Sequence, residues 1–310
     1  MTEMRVSSRR NLVAAAAVLL AACGFEAVGS FSVEAPPPGL AEGGDEGSTT
    51  DTGSDTLAPA AEAGDDGALV DAADASTDAP DGDANLLDAA EAGSVSALEF
   101  DGVDDFARVL RQVQADFTLE AWIKTTTSRA GTNFYEGLGL VYADVSGSAN
   151  DFGTSIMNGK LAFGTVDLTI QSTTTVTTGL WVHVAAVRVQ SSGTMRVLVN
   201  GTQEVQTTSG STALLNAPST IDIGGNTIDG RYFKGTMDEV RVWNVARTAA
   251  QIQGAMKTRL VGNEAGLVGY WRFDDGAGNV ALDSSGSANS AALGAGTAAA
   301  RPAWTSPGAF

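Results

Sequence analysis

FTLEAWIK, residues 117–124, alternates without a break: Phe117, Leu119, Ala121 and Ile123 fall on one face, Thr118, Glu120, Trp122 and Lys124 on the other. A period of two is the signature of a β-strand with one face turned to a core. Downstream, WVHVAAVRV (181–189) is apolar on both faces until Arg188, as expected of a central strand covered on both sides. MRVLVNGTQEVQT (195–207) predicts a hairpin, because Asn200-Gly201 suits a turn whose two central residues need positive φ. IDIG (221–224), MDEVRVW (237–243) and VGYWRF (268–273) predict further strands. In MDEVRVW, Met237, Arg241 and Trp243 share parity, so alternation leaves open which face looks inward. One helix is expected over 249–258, where Thr248 and Gln251 hold a capping-box spacing ahead of Ile252 and Met256. So little helix among so many short strands predicts an all-β sandwich and excludes a doubly wound α/β fold.

Charge divides the chain. Its 310 residues carry 18 Lys and Arg against 37 Asp and Glu, a net charge of -19. Residues 24–94 hold 17 of the acids and no base, whereas 95–310 hold 19 acids and 15 bases. No clustered positive field exists to displace counterions, which argues against a nucleic-acid partner. One Cys and one His exclude a disulfide framework and a Cys/His zinc cage, leaving oxygen-ligated metals open.

At the N-terminus, Arg5, Arg9 and Arg10 precede the apolar run NLVAAAAVLLAAC, an export-signal pattern too short for a lasting membrane span. Leu20-Ala21-Ala22-Cys23 resembles the lipobox at which bacterial lipoproteins are diacylated and cleaved before the Cys. The resemblance implies a signal peptide at 1–22, lipidated Cys23, and, with Gly24 rather than Asp following, an outer-membrane lipoprotein of the bacterial envelope, periplasmic or surface-exposed. Ser8-Arg9-Arg10 leaves the Sec or twin-arginine route open. From Gly24 to Ser94 the composition of Ala, Asp, Gly, Glu, Ser, Thr and Pro cannot bury enough apolar area to order the chain, so a disordered spacer is expected. A flexible chain of that length spans roughly 45 Å, more with self-repulsion.

Six ordered pieces of 95–310, LEFDGVDDFARV (98–109), FTLEAWIK, LWVHVAAVR (180–188), MRVLVNG (195–201), FKGTMDEVRVWNVART (233–248) and GLVGYWRFDDGAGNVALDSSG (266–286), together resemble the laminin-G-like, concanavalin A-like jellyroll domains. The resemblance implies two antiparallel sheets around one core. Through relatives that hold one calcium ion, it also implies Asp101, Gly102 and Asp238 as candidate Ca²⁺ ligands, hard oxygens being suited to that ion. Hydrolases of this architecture carry acids at alternate strand positions, E-x-D-x-E, and no such run occurs here. The adjacent acids Asp104-Asp105, Asp238-Glu239 and Asp274-Asp275 would point to opposite faces in strands, and His183 reads as a packed strand residue. Sugar recognition needs aromatic platforms flanked by polar groups. Tyr135, Tyr142, Asp151, Phe152, Asn226, Arg231 and Tyr232 are the candidates, with Asp229 nearby. The function expected is a membrane-anchored, non-catalytic recognition module for a glycan, the alternatives being protein–protein adhesion at the envelope surface and glycoside hydrolysis.

Labelled palmitate supplied to a bacterial host should be incorporated into the protein and lost in Cys23→Ala; label retained in the variant would dismiss the lipid anchor.

Overall fold

The alternating octet is a strand over its whole length, β3 (Phe117–Lys124), in a computed structural model that describes residues 95–147, 150–166 and 168–310. The expected signal peptide, Cys23 and the spacer lie outside the described residues. Edge to edge, the sheet around β3 runs β10 (Thr202–Thr207), β9 (Thr194–Val199), β8 (Val182–Val189), β3, β14 (Lys234–Trp243), β1 (Ala97–Asp101) and β18 (Ala303–Thr305). β15 (Leu267–Trp271) pairs with the C-terminal half of β14. The second sheet runs β16 (Val280–Ala281), β17 (Ala291–Leu293), β2 (Ala107–Leu110), β11 (Thr220–Ile223), β4 (Leu138–Ala143), β5 (Phe152–Met157), β6 (Lys160–Thr165) and β7 (Leu168–Thr175). A two-stranded ribbon, β12 (Gly225–Asn226) with β13 (Arg231–Tyr232), follows β11. The two large sheets are antiparallel and form a sandwich.

Between them lies the core. Leu119, Ala121 and Ile123 of β3, with Val184 and Ala186 of β8, meet Val141, Phe152, Ile156, Leu161 and Phe163 from the facing sheet. The rings of Phe117 and Phe152 lie 4.6 Å apart at their centroids. Each of the larger of these side chains contributes roughly 1.5–3 kcal/mol by leaving water.

The parity conflict in MDEVRVW has a physical resolution. Pairing of β14 with β3 shifts register between Asp238 and Arg241, and Glu239 holds a φ of 51°, a β-bulge. Met237 and Val240 both enter the core, so Asp238 and Glu239 between them both face outward. That corrects the expectation that these adjacent acids point to opposite faces. Downstream of the bulge the alternation resumes, with Val242 inward and Arg241 and Trp243 outward.

The outer face of this first sheet is covered as well. Its helix α1 (Ala249–Ala255) sets Ile252 against Ala185, Val187 and Leu198, which explains why 181–189 is apolar on both faces. The cap is reciprocal: Gln251 N–H donates to Thr248 Oγ1 at 3.2 Å and Thr248 N–H to Gln251 Oε1 at 2.8 Å. The helix stops three residues short of the predicted 258. Its orphan C-terminal carbonyls are taken by the sheet beneath, Ala255 O and Thr258 O by Arg241 and Met256 O by Trp122 Nε1.

The hairpin turn is as predicted, with φ of 49° at Asn200 and 75° at Gly201. The C-terminal segment returns as β18 on the edge of β1, and Trp304 Nε1 donates to Gly278 O at 3.1 Å. Arg188, fully buried, spends its guanidinium on four carbonyls, those of Gln114, Ala115, Ser211 and Ala213. It fastens two loops to the end of β8. Arg188→Ala strands those acceptors in a closed space, so urea unfolding should show a loss of at least about 3 kcal/mol; a loss under about 1 kcal/mol would mean water replaces the guanidinium freely.

Candidate functional site

Cross-strand pairing places Arg108, Asp222, Tyr142, Gly153 and Gly164 in one row across the second sheet, on the face away from the core. The two glycines there make room for rings. A Cβ on Gly153 would stand 2.4 Å from Tyr142 Cε2, and one on Gly164 would stand 1.9 Å from Phe134 Cδ1. Without them Phe134 and Tyr142 could not lie flat on the sheet. The two rings stack at 5.6 Å and 24°, and Tyr135 meets Phe134 edge-on at 5.5 Å.

Backbone and side-chain hydrogen bonds fix this wall. Phe134, Tyr135 and Glu136 form one 3₁₀ turn, entered where Glu136 Oε2 accepts the N–H groups of Thr132 and Asn133 at 2.7 and 2.8 Å. Phe134 N–H donates to Thr169 Oγ1 at 2.9 Å, and Ser155 Oγ donates to Phe134 O at 2.7 Å. Phe134 and Tyr142 are thereby buried while Tyr135 remains 36% exposed.

Beside the wall run two clefts, of about 180 and 280 Å³, that share Asp144 and Val145. Tyr142 and Asn226 line the first; Tyr135, Asp151 and Asp229 line the second. Asn226 ties them together: Nδ2 donates to Asp144 Oδ2 at 2.8 Å and to Asp229 Oδ2 at 3.2 Å, while Oδ1 accepts the N–H groups of Ile228 and Asp229. Burial, and then the neighbouring Asp144, push the Asp151 carboxyl up to about 7. Its Oδ1 has no hydrogen-bond partner. The Tyr142 hydroxyl is likewise buried, near the Asn226 amide yet without a bond of acceptable geometry. Burial first, then the charges of Asp144, Asp151 and Asp229, raise it well above the usual phenol range. Arg108 is already committed, donating to both oxygens of Asp222 at 2.6 and 2.8 Å and to Thr227 Oγ1 at 3.1 Å.

Of the sequence candidates, Tyr135, Tyr142, Asp151 and Asn226 therefore converge on this pair of clefts. Arg231 and Tyr232 occupy the other strand of the ribbon, paired across to Asn226 and Gly225. Phe152 does not belong: it is fully buried against Phe117 between the sheets. Asp144 is added by the structure, since it follows a strand that the sequence pattern does not announce.

The calcium set does not assemble. In the ladder of β1 with β14, Asp101 pairs with Lys234 and Leu98 with Met237, so Asp238 lies four rows from Asp101, roughly 13 Å at the rise of a strand. Ligands of one Ca²⁺ sit at about 2.3–2.6 Å from it, which that separation forbids. Asp238 is instead buried, with Oδ1 accepting Glu239 N–H and Oδ2 accepting Ala309 N–H, and burial raises it to about 7. Among the described residues, Asp101, Asp104 and Asp105 bring oxygens within 4.8 Å of one another. Those oxygens serve the turn itself: Asp101 Oδ1 accepts the N–H groups of Val103 and Asp104, and Asp105 Oδ2 that of Asp101.

The acids of the first sheet are sealed beneath α1. Glu120 pairs with Arg247 at 2.6 Å and lies 3.3 Å from His183 Nε2; Glu239 pairs with Arg241 at 2.7 Å and accepts from Tyr270 Oη. Arg247 is thus the partner of Glu120, and Arg272 donates to Leu260 O. Burial alone would raise Glu120, but His183 and the two guanidiniums outweigh it and hold it below the usual carboxylate range.

Residues 101–253 match the family described as the concanavalin A-like lectin/glucanases superfamily. No curated protein matches the chain. Among solved structures, a Bacteroides ovatus ATCC 8483 protein proposed to bind carbohydrate superposes with a TM-score of 0.52 at 22% identity, covering 65% of this chain and 58% of that one. The chain thus spans little more than half of that relative. A heptameric SAP-like pentraxin from Limulus polyphemus gives 0.41 at 17% identity, over 52% and 81% of the two chains. The CBM40 of a Ruminococcus gnavus IT-sialidase gives 0.42 at 13%, over 52% and 97%. At 22% identity the first likeness is one of fold.

Gly164→Ala must push Phe134 off its floor and Tyr135 with it, at a cost of about 1–3 kcal/mol and with a changed near-ultraviolet tyrosine signal. Gly254→Ala, whose added methyl meets nothing within 4 Å, should be neutral or mildly stabilising. Equal behaviour of the two variants would show that the ring stack does not depend on its floor.

Proposed function

We propose, from the match of residues 101–253 to the concanavalin A-like lectin/glucanases superfamily, that the protein is a non-catalytic glycan-recognition module whose site is the pair of clefts around Asp144. One observation carries this reading: a ring stack on a glycine floor leaves a single half-open tyrosine, Tyr135, beside a cleft dense in hydrogen-bonding groups. A pyranose presents an apolar C–H face to an aromatic ring and hydroxyls to carboxylates and amides, the two chemistries found together here. The Bacteroides ovatus protein's assignment to carbohydrate points the same way.

Binding without bond cleavage is the reading supported by the missing E-x-D-x-E run and by access. Glycosidases need two carboxyl groups about 5–5.5 or 6.5–9.5 Å apart on either side of the scissile bond. Asp144 and Asp151 line the same cleft, and Asp144 helps burial to raise the Asp151 carboxyl. Glu120 and Glu239 are at most 2% exposed. Calcium has no step in this proposal, because Asp101, Gly102 and Asp238 do not meet at one point.

The sequence supports the rest of the proposal: acylated Cys23 anchors the chain at the outer membrane, and residues 24–94 hold the domain away from it. Among the described residues no helix is long and apolar enough to cross a membrane.

On a glycan array the protein should give discrete hits, which Tyr135→Ala weakens at least tenfold with an unchanged melting temperature and no release of reducing sugar. An empty array, or hits indifferent to Tyr135, would refute the assignment; sustained sugar release would make the protein an enzyme.

A further inference from the structure

The clefts around Asp144 carry a charge imbalance that glycan binding in general does not require. Asp144, Asp151 and Asp229 all face them, and among the described residues no Lys or Arg nitrogen lies within 4.0 Å of any of the three. Arg108 is bound to Asp222, and Arg231, across the ribbon, forms no ion pair with them. The one donor shared among the acids is the neutral Asn226 amide. One buried polar atom beside each cleft has no hydrogen-bond partner: the Tyr142 hydroxyl, on a side chain 2% exposed, at the first, and Asp151 Oδ1, on one 7% exposed, at the second. Desolvated carboxylates beside unsatisfied oxygens are costly, and a bound donor offsets that cost.

The chemistry of the donor can be narrowed. A uronate, sulfate or sialate would meet like charge in a partly desolvated cleft. A bare divalent ion wants six to eight oxygens closing on it. Here the three carboxylates do not come as close together as Asp101, Asp104 and Asp105 do, and the Asn226 nitrogen already sits between two of them. An ammonium has three hydrogens to give and needs only two or three acceptors. The carboxylates of Asp144, Asp151 and Asp229 on the second cleft provide that number, with the Tyr142 oxygen behind the adjoining cleft, and Tyr135 lines the same second cleft, where the pyranose carrying the amine would stack against it.

We infer that the site selects glycans bearing free amines, as in de-N-acetylated amino sugars, over neutral and acidic ones. This rests on the glycan-binding reading above and names the sugar class that it takes.

Isothermal titration of the full chain with a glucosamine hexamer, its fully N-acetylated counterpart and a hexauronate tests the inference. The free-amine hexamer should bind at least tenfold more tightly than the N-acetylated one, the uronate should not register, and EDTA should change nothing. Because residues 24–94 are themselves acidic, Asp151→Asn is decisive: it leaves that spacer intact and should reduce amine affinity at least tenfold. Asp229→Asn, on a different loop, serves in its place if the first variant melts early. Amine binding indifferent to both variants would reduce the effect to attraction by the spacer and overturn the inference. Equal binding of the amine and N-acetylated hexamers, or binding that calcium alone enables, would overturn it while leaving glycan recognition standing. Silence toward every sugar on the array as well would remove the underlying reading instead.

Discussion

A sheet covered on both faces hides its charged side chains from water and so must pair them within the protein, and the sheet around β3, β8 and β14 is covered on both. One side is the sandwich core; the other lies under α1 and the segment that follows it. Its outward charges have therefore become structure. Glu120, Arg247, Glu239, Arg241 and Tyr270 pair with one another or with the carbonyls at the end of the helix, leaving Glu239 Oε1 and Arg241 Nε without a hydrogen bond, and the bulge at Glu239 turns that carboxylate to the side where its partners are. Removing one member would leave an uncompensated buried charge. This sheet holds most of the chain's conspicuous chemistry, including its one histidine, and can show none of it to a ligand.

The proposed recognition site therefore lies on the second sheet, whose outer face carries, among the described residues, the short Phe134–Glu136 turn and no α-helix. What that sheet offers is shape more than reactivity. Glycines in the row of Tyr142 replace side-chain volume with ring volume, and the rings in turn hold the Phe134–Glu136 turn that presents Tyr135. The acids nearby, like Asp101, Asp104 and Asp238 elsewhere in the domain, have no Lys or Arg partner among the described residues, whereas Glu120, Asp222, Glu239 and Asp274 do.

The two sheets differ in how legible they are. FTLEAWIK, the Asn200-Gly201 hairpin and the Thr248 cap read directly because apolar contrast and turn chemistry are strong there. β4 to β7 escape a reading by period, since small and polar residues such as Gly139, Gly153, Ser155 and Gly164 stand where a core-facing pattern would show contrast. Asp144 goes unread with them. MDEVRVW is ambiguous for a definite reason: one inserted residue reverses the parity of everything beyond it. Tyr135, Tyr142, Asp151 and Asn226 could be singled out as aromatics and polar groups near turns, but nothing in sequence distinguishes them from Phe152, which the register sends inward. The Asp101 and Asp238 pairing comes from resemblance alone, and strand register separates the two.

The way the domain begins has a mechanical meaning. β1, the first described strand, is not an edge: it lies between β14 and β18, paired in antiparallel register to both, and Gly308 N–H returns to Val95 O. Any pull arriving through residue 95 runs along β1 and must slide it past two neighbours at once, breaking their hydrogen bonds together instead of peeling them one by one. For the tethered module proposed above that geometry is an advantage, because tension reaches a strand paired on both sides instead of a free edge.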